Sequence, residues 1–404
     1  MTTLTDPPQE TFRLSMLIND TRYRSMTFQA IALLALIVAF AYLLNNLFTN
    51  LAAAGLNISY DFLGDPAGYD INQTLVEYDS QSPHSQAAIV GILNTLLVAF
   101  LACLTATVFG VVAGVLRLSK NWLVSKLMSF YVEIFRNIPV LIWIIIIFTI
   151  MTAVMPAPRA FRGDEPEATM LLGAFAFTNR GVYIPAPIWG GGSIVVVLTF
   201  LASIVGVVAY RRYATNLLYA TGKLLPMGWP SLAIFFVPTI LMYFIMGRPI
   251  TLEYPELGGF NFRGGIQIGA PLIALWFALS IYTGAFIAEN VRAGIQAVSK
   301  GQTEAASALG LRPNRVMNLV VLPQALRVII PPLISQYLNI TKNSSLAIAV
   351  GYADITATLG GITLNQTGRA IECVLLLMLF YLTISLSIST VMNFYNKSVA
   401  LKER

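Results

Sequence analysis

Four charged side chains lie within or beside strongly apolar stretches, and these are the residues of the chain most able to do chemistry: Glu133, Arg136, Glu289 and Lys342. A charge at the centre of a bilayer costs roughly 2.5–3.5 kcal/mol, so each of them needs a partner or water. Glu133 and Arg136 are three residues apart and can pair on one face of a helix. These two begin an apolar run and Glu289 ends one, which favours anchoring and local pairing at the membrane boundary.

Lys342 is different because it lies well inside an apolar stretch, in the sequence TKNSS at 341–345. That stretch begins at Pro323 and contains Pro331-Pro332, which predict a kinked or divided helix. Polar residues on a broken helix at membrane depth usually face a cavity or another protein element. We therefore predict a substrate-pathway role, with helix–helix contact as the alternative, for Lys342, Asn343, Ser344 and Ser345.

The chain lacks the residues for several kinds of active site. Its one histidine, His84, lies in a polar stretch. Its two cysteines, Cys103 and Cys373, lie in apolar runs, which favours packed thiols over a disulfide or a metal site. No phosphate-binding loop, G-x-S-x-G elbow or H-E-x-x-H pair occurs. We therefore predict no catalytic residue, metal or cofactor, so uphill transport would draw its energy from an ion gradient or from a partner.

A charged segment between two apolar ones, 299–323, contains the second set of candidate residues. Ser299 followed by Gln302 is typical of a capping box, and Glu304 is expected in the first helical turn, where the helix dipole favours an anion. Gly310 can end the helix in the left-handed conformation, and Pro313 blocks its continuation. The pattern predicts a helix of about two turns with a small, alanine-rich face. Such a face suits a groove on another protein, and a linker helix at the lipid headgroups is the alternative.

The elements that carry these residues are apolar runs long enough to cross a membrane. Hydrophobic residues make up 56% of the 404-residue chain and charged residues only 11%, which indicates an all-α polytopic membrane protein. The formal charge of +6 is then explained by the positive residues that orient membrane spans rather than by nucleic-acid binding. Eight transmembrane spans are predicted, at 27–48, 88–116, 129–155, 193–210, 230–247, 269–290, 320–350 and 371–395.

The positive charges predict the orientation of these spans. No Lys or Arg occurs between Ser25 and Leu116, and five acidic residues lie between the first two runs, so this loop is expected outside the cytoplasm. With the N-terminus inside, 17 Lys and Arg fall in inside segments and six in outside segments. An even number of spans then leaves both termini in the cytoplasm, together with the helix of the 299–323 segment.

The chain is predicted to divide into two tails, a first span, two core parts and an insertion. Glycine- and proline-rich external stretches surround a helical hairpin in the insertion. In order, the parts are a cytoplasmic tail (1–26), the first span with an acidic periplasmic loop (27–86), the first core part (87–155), the insertion (156–268), the second core part (269–396) and a cytoplasmic tail (397–404).

The spacing within 299–323 carries a resemblance to a known family. The stretch EAASALG at 304–310, then nine residues, then VVLP at 320–323 resembles the EAA loop of permeases from binding-protein-dependent ABC importers, with Val320 in place of the usual Ile. The stretches GILNTLLVAF at 91–100, YVEIFRNIPVL at 131–141 and LPQALRVIIPPL at 322–333 are similar to the polar amino acid uptake branch. The chain as a whole resembles the larger permease subunits of general L-amino acid importers of Gram-negative bacteria.

This resemblance implies a fold and a set of contact residues. The fold would be the type I ABC importer (MetI-like) core of five helices, with an extra N-terminal span and an inserted hairpin. The short helix at 301–310 would be a coupling helix that docks in a cleft of a separate ATPase. Asn343-Ser344-Ser345 departs from the Asp-Thr-Ser that commonly follows the lysine in this family. The implied ATPase-coupling residues are Gly301, Glu304, Ala305, Ala306 and Gly310.

The resemblance also implies partners and a location. They are a dimeric ABC ATPase, a second homologous permease, a periplasmic amino acid-binding protein and membrane lipid, without nucleic acid. ATP would be bound by the ATPase alone, so the chain itself would not be an enzyme. The expected location is the bacterial inner membrane. Two other function classes stay open at this point, an ion-coupled secondary amino acid carrier and an accessory subunit that only binds partners.

Overall fold

A computed structural model describes residues 16–55, 57–163 and 165–399 of the chain, and most of them are helical. Seven of the described helices are long and apolar enough to cross a membrane, or eight if one sharply bent pair counts as a single span. This confirms the predicted polytopic, helical fold. The chain separates into two units, Met1–Asp61 and Phe62–Arg404.

The first unit contains α1 (Met16–Asn19) and α2 (Thr21–Ala53). With 33 residues, α2 includes the predicted span at 27–48 and extends beyond it at both ends. The described part of the predicted tail over 1–26 is mostly helical, because nothing between Thr21 and Met26 breaks a helix. The first 15 residues of that tail lie outside the described residues.

The second unit contains the remaining helices of the described structure. They are α3 (His84–Arg117), α4 (Trp122–Asn137), α5 (Val140–Val154), α6 (Ser193–Thr221), α7 (Gly228–Ile245), α8 (Ala270–Gln296), α9 (Lys300–Ala308), α10 (Pro313–Val316), α11 (Leu322–Asn343), α12 (Leu364–Thr367) and α13 (Ala370–Val399). Residues 400–404 of the predicted C-terminal tail lie outside the described residues, and the part of that tail before them continues α13.

Two glycines of α3 allow α8 to approach closely. A Cβ atom at Gly110 would lie 2.5 Å from the Cβ of Ile287, and one at Gly114 would lie 2.7 Å from the carbonyl oxygen of Ala288. Neither distance is sterically possible, so only glycine permits this approach. Small residues at helix contacts are the usual means of association in membranes, where the hydrophobic effect does not draw helices together. This packing holds the C-terminal halves of α3 and α8 at a fixed separation.

The predicted span at 129–155 is not one straight helix. The side-chain oxygen of Asn121 caps the start of α4 by accepting hydrogen bonds from the backbone N–H groups of Leu123 and Val124. α4 ends before Ile138-Pro139, and α5 leaves at 105° to it. A residue that precedes proline is pushed out of the helical conformation, and Ile138 is extended, with φ −107° and ψ 131°. The prediction missed this break because it weighed hydropathy alone.

The stretch from α10 to the end of α11 also differs from its prediction. A π-helical turn (Met317–Val321) connects α10 to α11, and a 3₁₀ segment (Ser344–Val350) follows α11. The predicted division of the helix at Pro331-Pro332 is wrong, since α11 runs through both, and the alternative of a kink stays a prediction. Buried side chains on either side of the prolines, such as Ile330 and Ile334, hold the helix against its neighbours. The change of helix type occurs later, at Ser344.

The insertion contains the predicted helical hairpin, as α6 and α7, which pack chiefly on each other. Its glycine- and proline-rich stretches fold into three small antiparallel sheets that the sequence did not predict. The strands are β1 (Ala176–Thr178), β2 (Gly181–Ile184), β3 (Ala186–Trp189), β4 (Ile250–Glu253), β5 (Glu256–Gly258), β6 (Asn261–Arg263) and β7 (Ile266–Gly269), paired as β1-β2-β7, β3-β4 and β5-β6. The buried Tyr183 donates a hydrogen bond of 2.7 Å to Asn261 and joins two of these sheets.

Candidate functional site

The start of α9 differs in detail from the predicted cap. Ser299 is the N-cap residue, but its side chain makes no capping hydrogen bond within the described structure. Instead the backbone N–H of Gln302 donates to the Ser299 carbonyl at 3.2 Å. Glu304 lies beyond the first turn of α9, which holds no acidic residue. The predictions of a capping box and of a dipole-stabilised Glu304 are therefore wrong, because the Ser299 side chain makes no capping bond in the described structure and Glu304 is the fifth residue of a helix that begins at Lys300.

The end of α9 confirms the predicted glycine closure. Gly310 has φ +79°, in the left-handed region that favours glycine. Its N–H donates to the carbonyl of Ser307 at 2.9 Å, and the N–H of Leu311 donates to the carbonyl of Ala306 at 3.4 Å. These two bonds form a Schellman motif, which satisfies the last carbonyl groups of the helix. α9 is therefore a short helix with a fixed end.

The predicted coupling residues divide between two faces of α9. Ala306 is only 4% exposed and packs with Val316 and Val321, which belong to the following segment. Ile295 and Val298, from the end of α8 and the link after it, complete this small apolar cluster. Ala306 thus holds α9 on its own chain, whereas the four other predicted residues are exposed: Gly301, Glu304, Ala305 and Gly310. Beside them the side chain of Leu309 is 83% exposed.

A charged cluster lies where α3, α4 and α8 meet, just before α9 in the chain. Glu289 of α8 accepts hydrogen bonds from Arg117 of α3 and from Arg292 of its own helix. Arg136 of α4 approaches the same carboxylate at 4.0 Å, and Arg117 also pairs with Glu133 at 3.6 Å. The prediction that Glu133 and Arg136 pair with each other is wrong within the described structure. Each is drawn instead to a charge on a neighbouring helix.

This cluster connects to α9 through the end of α8. Arg292 donates a 2.6 Å hydrogen bond to the side chain of Gln296, the last residue of α8. Ile295, in the same turn, packs in the cluster that buries Ala306. Sequence reasoning did not select Arg117 and Arg292 because both were counted only as charges at the membrane boundary. A single carboxylate at the end of an apolar run, with arginines at the ends of adjacent runs, was the available signal.

The four predicted pathway residues occupy the junction between α11 and the 3₁₀ segment. Lys342 is exposed, Asn343 and Ser345 are half-buried, and Ser344 is fully buried. Ser344 donates to the carbonyl of Thr341 at 2.7 Å and Ser345 donates to that of Lys342 at 2.8 Å, so both hydroxyls bond their own helix. A cavity of about 360 Å³ between α3, α11 and α13 is lined by Thr341 and by none of these four. Lys342 is the only one of these four residues that is exposed.

The segment after the 3₁₀ turn is hydrogen-bonded to α3 through residues that sequence reasoning missed. The side-chain amide of the buried Asn94 donates to the carbonyl of Ala353 at 2.9 Å. Tyr352 donates to the carbonyl of Asn94 at 3.1 Å, and the N–H of Ile355 donates to the side chain of Thr95 at 3.1 Å. An Asn-Thr pair within an apolar run was the signal for this anchor, since buried polar groups require partners.

Asp354 lies in this anchored segment, between two spans, and is fully buried. Its Oδ1 accepts a hydrogen bond from the N–H of Ala357 at 2.8 Å, whereas Oδ2 makes none of adequate geometry with the described residues. The hydroxyl groups of Thr356 and Tyr381 lie beside it and hydrogen-bond each other at 3.0 Å. Burial raises the pKa of Asp354 to about 6, against the opposing effect of the Ala357 hydrogen bond.

A bundle with seven or eight helices able to cross a membrane has the architecture of a polytopic membrane protein. The chain belongs to the family described as binding-protein-dependent transport system inner membrane component, whose model matches residues 198–401. It is 52% identical over 428 aligned residues, covering 100% of both chains, to the glutamate/glutamine/aspartate/asparagine transport system permease protein BztB of Rhodobacter capsulatus. It is also 43% identical over 385 residues, 95% of this chain and 94% of the other, to the general L-amino acid transport system permease protein AapQ of Rhizobium johnstonii.

Proposed function

We propose that this chain is the membrane permease subunit of an ATP-driven importer of L-amino acids. The observation that carries the proposal is α9, a helix closed at Gly310 and held on the bundle by Ala306, with its remaining small residues exposed. A helix of nine residues is marginally stable by itself and α9 buries only Ala306, so a partner that covers its exposed face would add to its stability. The named relatives supply the substrate class, since both are described as amino acid transport permeases.

The energy for uptake would come from a separate ABC ATPase that receives α9 on the cytoplasmic side. Movement of α9 would reach the bundle through the end of α8, where the Ala306 cluster and the Glu289 cluster lie within a few residues of each other. A second, homologous permease and a periplasmic amino acid-binding protein would complete the importer in the bacterial inner membrane. Both termini of the chain would be cytoplasmic, as the charge distribution favours.

The rival function is an ion-coupled secondary carrier, which would need no ATPase. The family to which the chain belongs is one of binding-protein-dependent transport, which favours the importer. Purification of the tagged chain from its native membrane, followed by mass spectrometry, separates the two. An ABC ATPase and a second permease are expected in the same complex, and uptake by the reconstituted complex should require ATP. Uptake by the chain alone, driven by an ion gradient, would overturn the proposal.

A further inference from the structure

The second half of α6 and the turn after it carry cations without anionic partners in the described structure. Arg211 and Arg212 are exposed on α6, and Lys223 follows the helix after Gly222. No acidic residue occurs in the sequence between Glu167 and Glu253, so the hairpin has no carboxylate of its own. Within the described structure none of these three cations forms an ion pair, in contrast to the arginines around Glu289. The hairpin therefore presents a positive surface with no internal counter-charge.

The two arginines belong to one shaped face of α6. Together with other side chains they line a depression of about 300 Å³. Its members recur at helical spacing, so they lie along a single face. The lining residues are Val208, Arg211, Arg212, Thr215 and Asn216. Guanidinium groups bind phosphate oxygens in a bidentate manner, and the side-chain amide of Asn216 adds N–H donors. Val208 lies at the end of the depression nearer the apolar part of α6, where a hydrocarbon chain can pack.

Exposed aromatic residues place this turn at the depth of lipid headgroups. Trp229 and Tyr219 are each 84% exposed, and Tyr213 is 60% exposed. Trp and Tyr concentrate at membrane–water interfaces because their rings have one apolar and one polar part. Tyr210 donates a 2.8 Å hydrogen bond to the carbonyl of Pro226, which ties the loop before α7 back to the end of the apolar part of α6. The depression thus opens where a phospholipid changes from acyl chain to headgroup.

We propose that this face of α6 binds the phosphodiester headgroup of an anionic phospholipid, with Arg211 and Arg212 on the phosphate and Val208 against the lipid's hydrocarbon. Lys223 adds attraction toward the anionic membrane surface. The binding would hold the hairpin, whose helices pack chiefly on each other, at a defined depth in the bilayer. The site is independent of the amino acid pathway, so its test does not depend on the importer function.

The test measures lipid binding by native mass spectrometry on the full chain, purified in detergent with the subunits that accompany it. Phosphatidylglycerol and phosphatidylcholine are titrated separately, and inorganic phosphate is added as a competitor. We expect retention of phosphatidylglycerol in preference to phosphatidylcholine. The double variant R211Q/R212Q should bind phosphatidylglycerol about tenfold more weakly, the loss expected when a charge-assisted contact worth roughly 1.4 kcal/mol is removed.

The matched control is K120Q/K126Q, which removes two exposed cations beside the α3–α4 turn. Its affinity for phosphatidylglycerol should stay within about twofold of the unmodified chain, since Lys120 and Lys126 are six residues apart and a lysine ammonium lacks the bidentate geometry with which a guanidinium group binds phosphate. R211K/R212K keeps the charge and loses the bidentate geometry, so an intermediate affinity is expected even if the glutamine variant fails to assemble. Equal losses in R211Q/R212Q and K120Q/K126Q, or displacement of the lipid by equimolar inorganic phosphate, would overturn the proposal.

Discussion

Arg117, at the last turn of α3, donates a hydrogen bond to Glu289 near the end of α8. The two helices are already fixed against each other by the glycine contacts at Gly110 and Gly114. The ion pair between Arg117 and Glu289 therefore adds to a helix contact whose geometry is already fixed by packing. Because α9 follows α8 after only a short link, the pair lies where force from a docked partner would enter the bundle.

Replacing Glu289 by Gln should destabilise the chain, since the change leaves Arg117, Arg292 and Arg136 without their shared anion. Hydrogen bonds to charged groups contribute about 1.5–3 kcal/mol each, and the Glu289 side chain is only 24% exposed. We expect a lower midpoint of thermal unfolding for the purified chain. Glu133→Gln is the control, because that side chain is 61% exposed and exposed pairs contribute about 0.2–1 kcal/mol. Equal midpoints for the two variants would contradict the central position of Glu289.

Replacing Gly310 by Val should disrupt the end of α9. Its φ of +79° costs a side chain with a β-branch roughly 1–2 kcal/mol, so the Schellman hydrogen bonds would be lost. We expect weaker co-elution of the ATPase and loss of ATP-driven uptake. Gly310→Asn is the control, since Asn tolerates the left-handed conformation and should retain most of both properties. Normal coupled turnover in the Val variant would show that the closure of α9 is dispensable.

Replacing Lys342 by Ala should reduce uptake without changing the amount of assembled complex. Its side chain is exposed at the end of α11, so its removal leaves no cavity in the core. The measurement is uptake of a labelled amino acid by reconstituted complex, normalised to subunit content. Ser344→Ala is an informative comparison, because Ser344 is fully buried and its loss should affect stability rather than uptake. Unchanged uptake by the Lys342 variant would exclude this residue from the substrate pathway.

The elements that hydropathy and local chemistry determine were predictable from the sequence. The spans, the inserted hairpin and the closure of α9 at Gly310 all follow from apolar run length or from the conformational freedom of glycine. The bend at Pro139 was equally local, and it was missed because the apolar run continues across it.

Contacts between residues that are far apart in the chain could not be predicted from the sequence. Glu289 finds Arg117 on a helix far away in the chain, and Asn94 finds Ala353 in the same way. Sequence spacing reveals pairs on one helix, so it suggested the pair of Glu133 and Arg136, which the structure does not form. The small sheets of the insertion were not predicted for a related reason, since their strands of three or four residues are too short to show a periodic pattern.

Asp354 predicts a pH dependence of stability. Its pKa in the folded chain is about 6, above the usual value near 3.8, because burial disfavours the charged form. The folded state therefore binds this proton more tightly than the unfolded state. The resulting stabilisation is fully present below about pH 4 and is lost as the pH rises through about 6, and its size is roughly 1–3 kcal/mol.

The Asn variant of Asp354 isolates this effect, because an amide is neutral at every pH and can still accept the hydrogen bond from the N–H of Ala357. Other carboxylates also titrate, so the quantity to follow is the difference in thermal midpoint between Asp354→Asn and the unmodified chain from pH 4.5 to pH 8. As the pH rises, the thermal midpoint of the Asn variant should increase relative to that of the unmodified chain. A constant difference would mean that the anchored segment at Ile355 opens to water and leaves the carboxylate solvated in the folded chain.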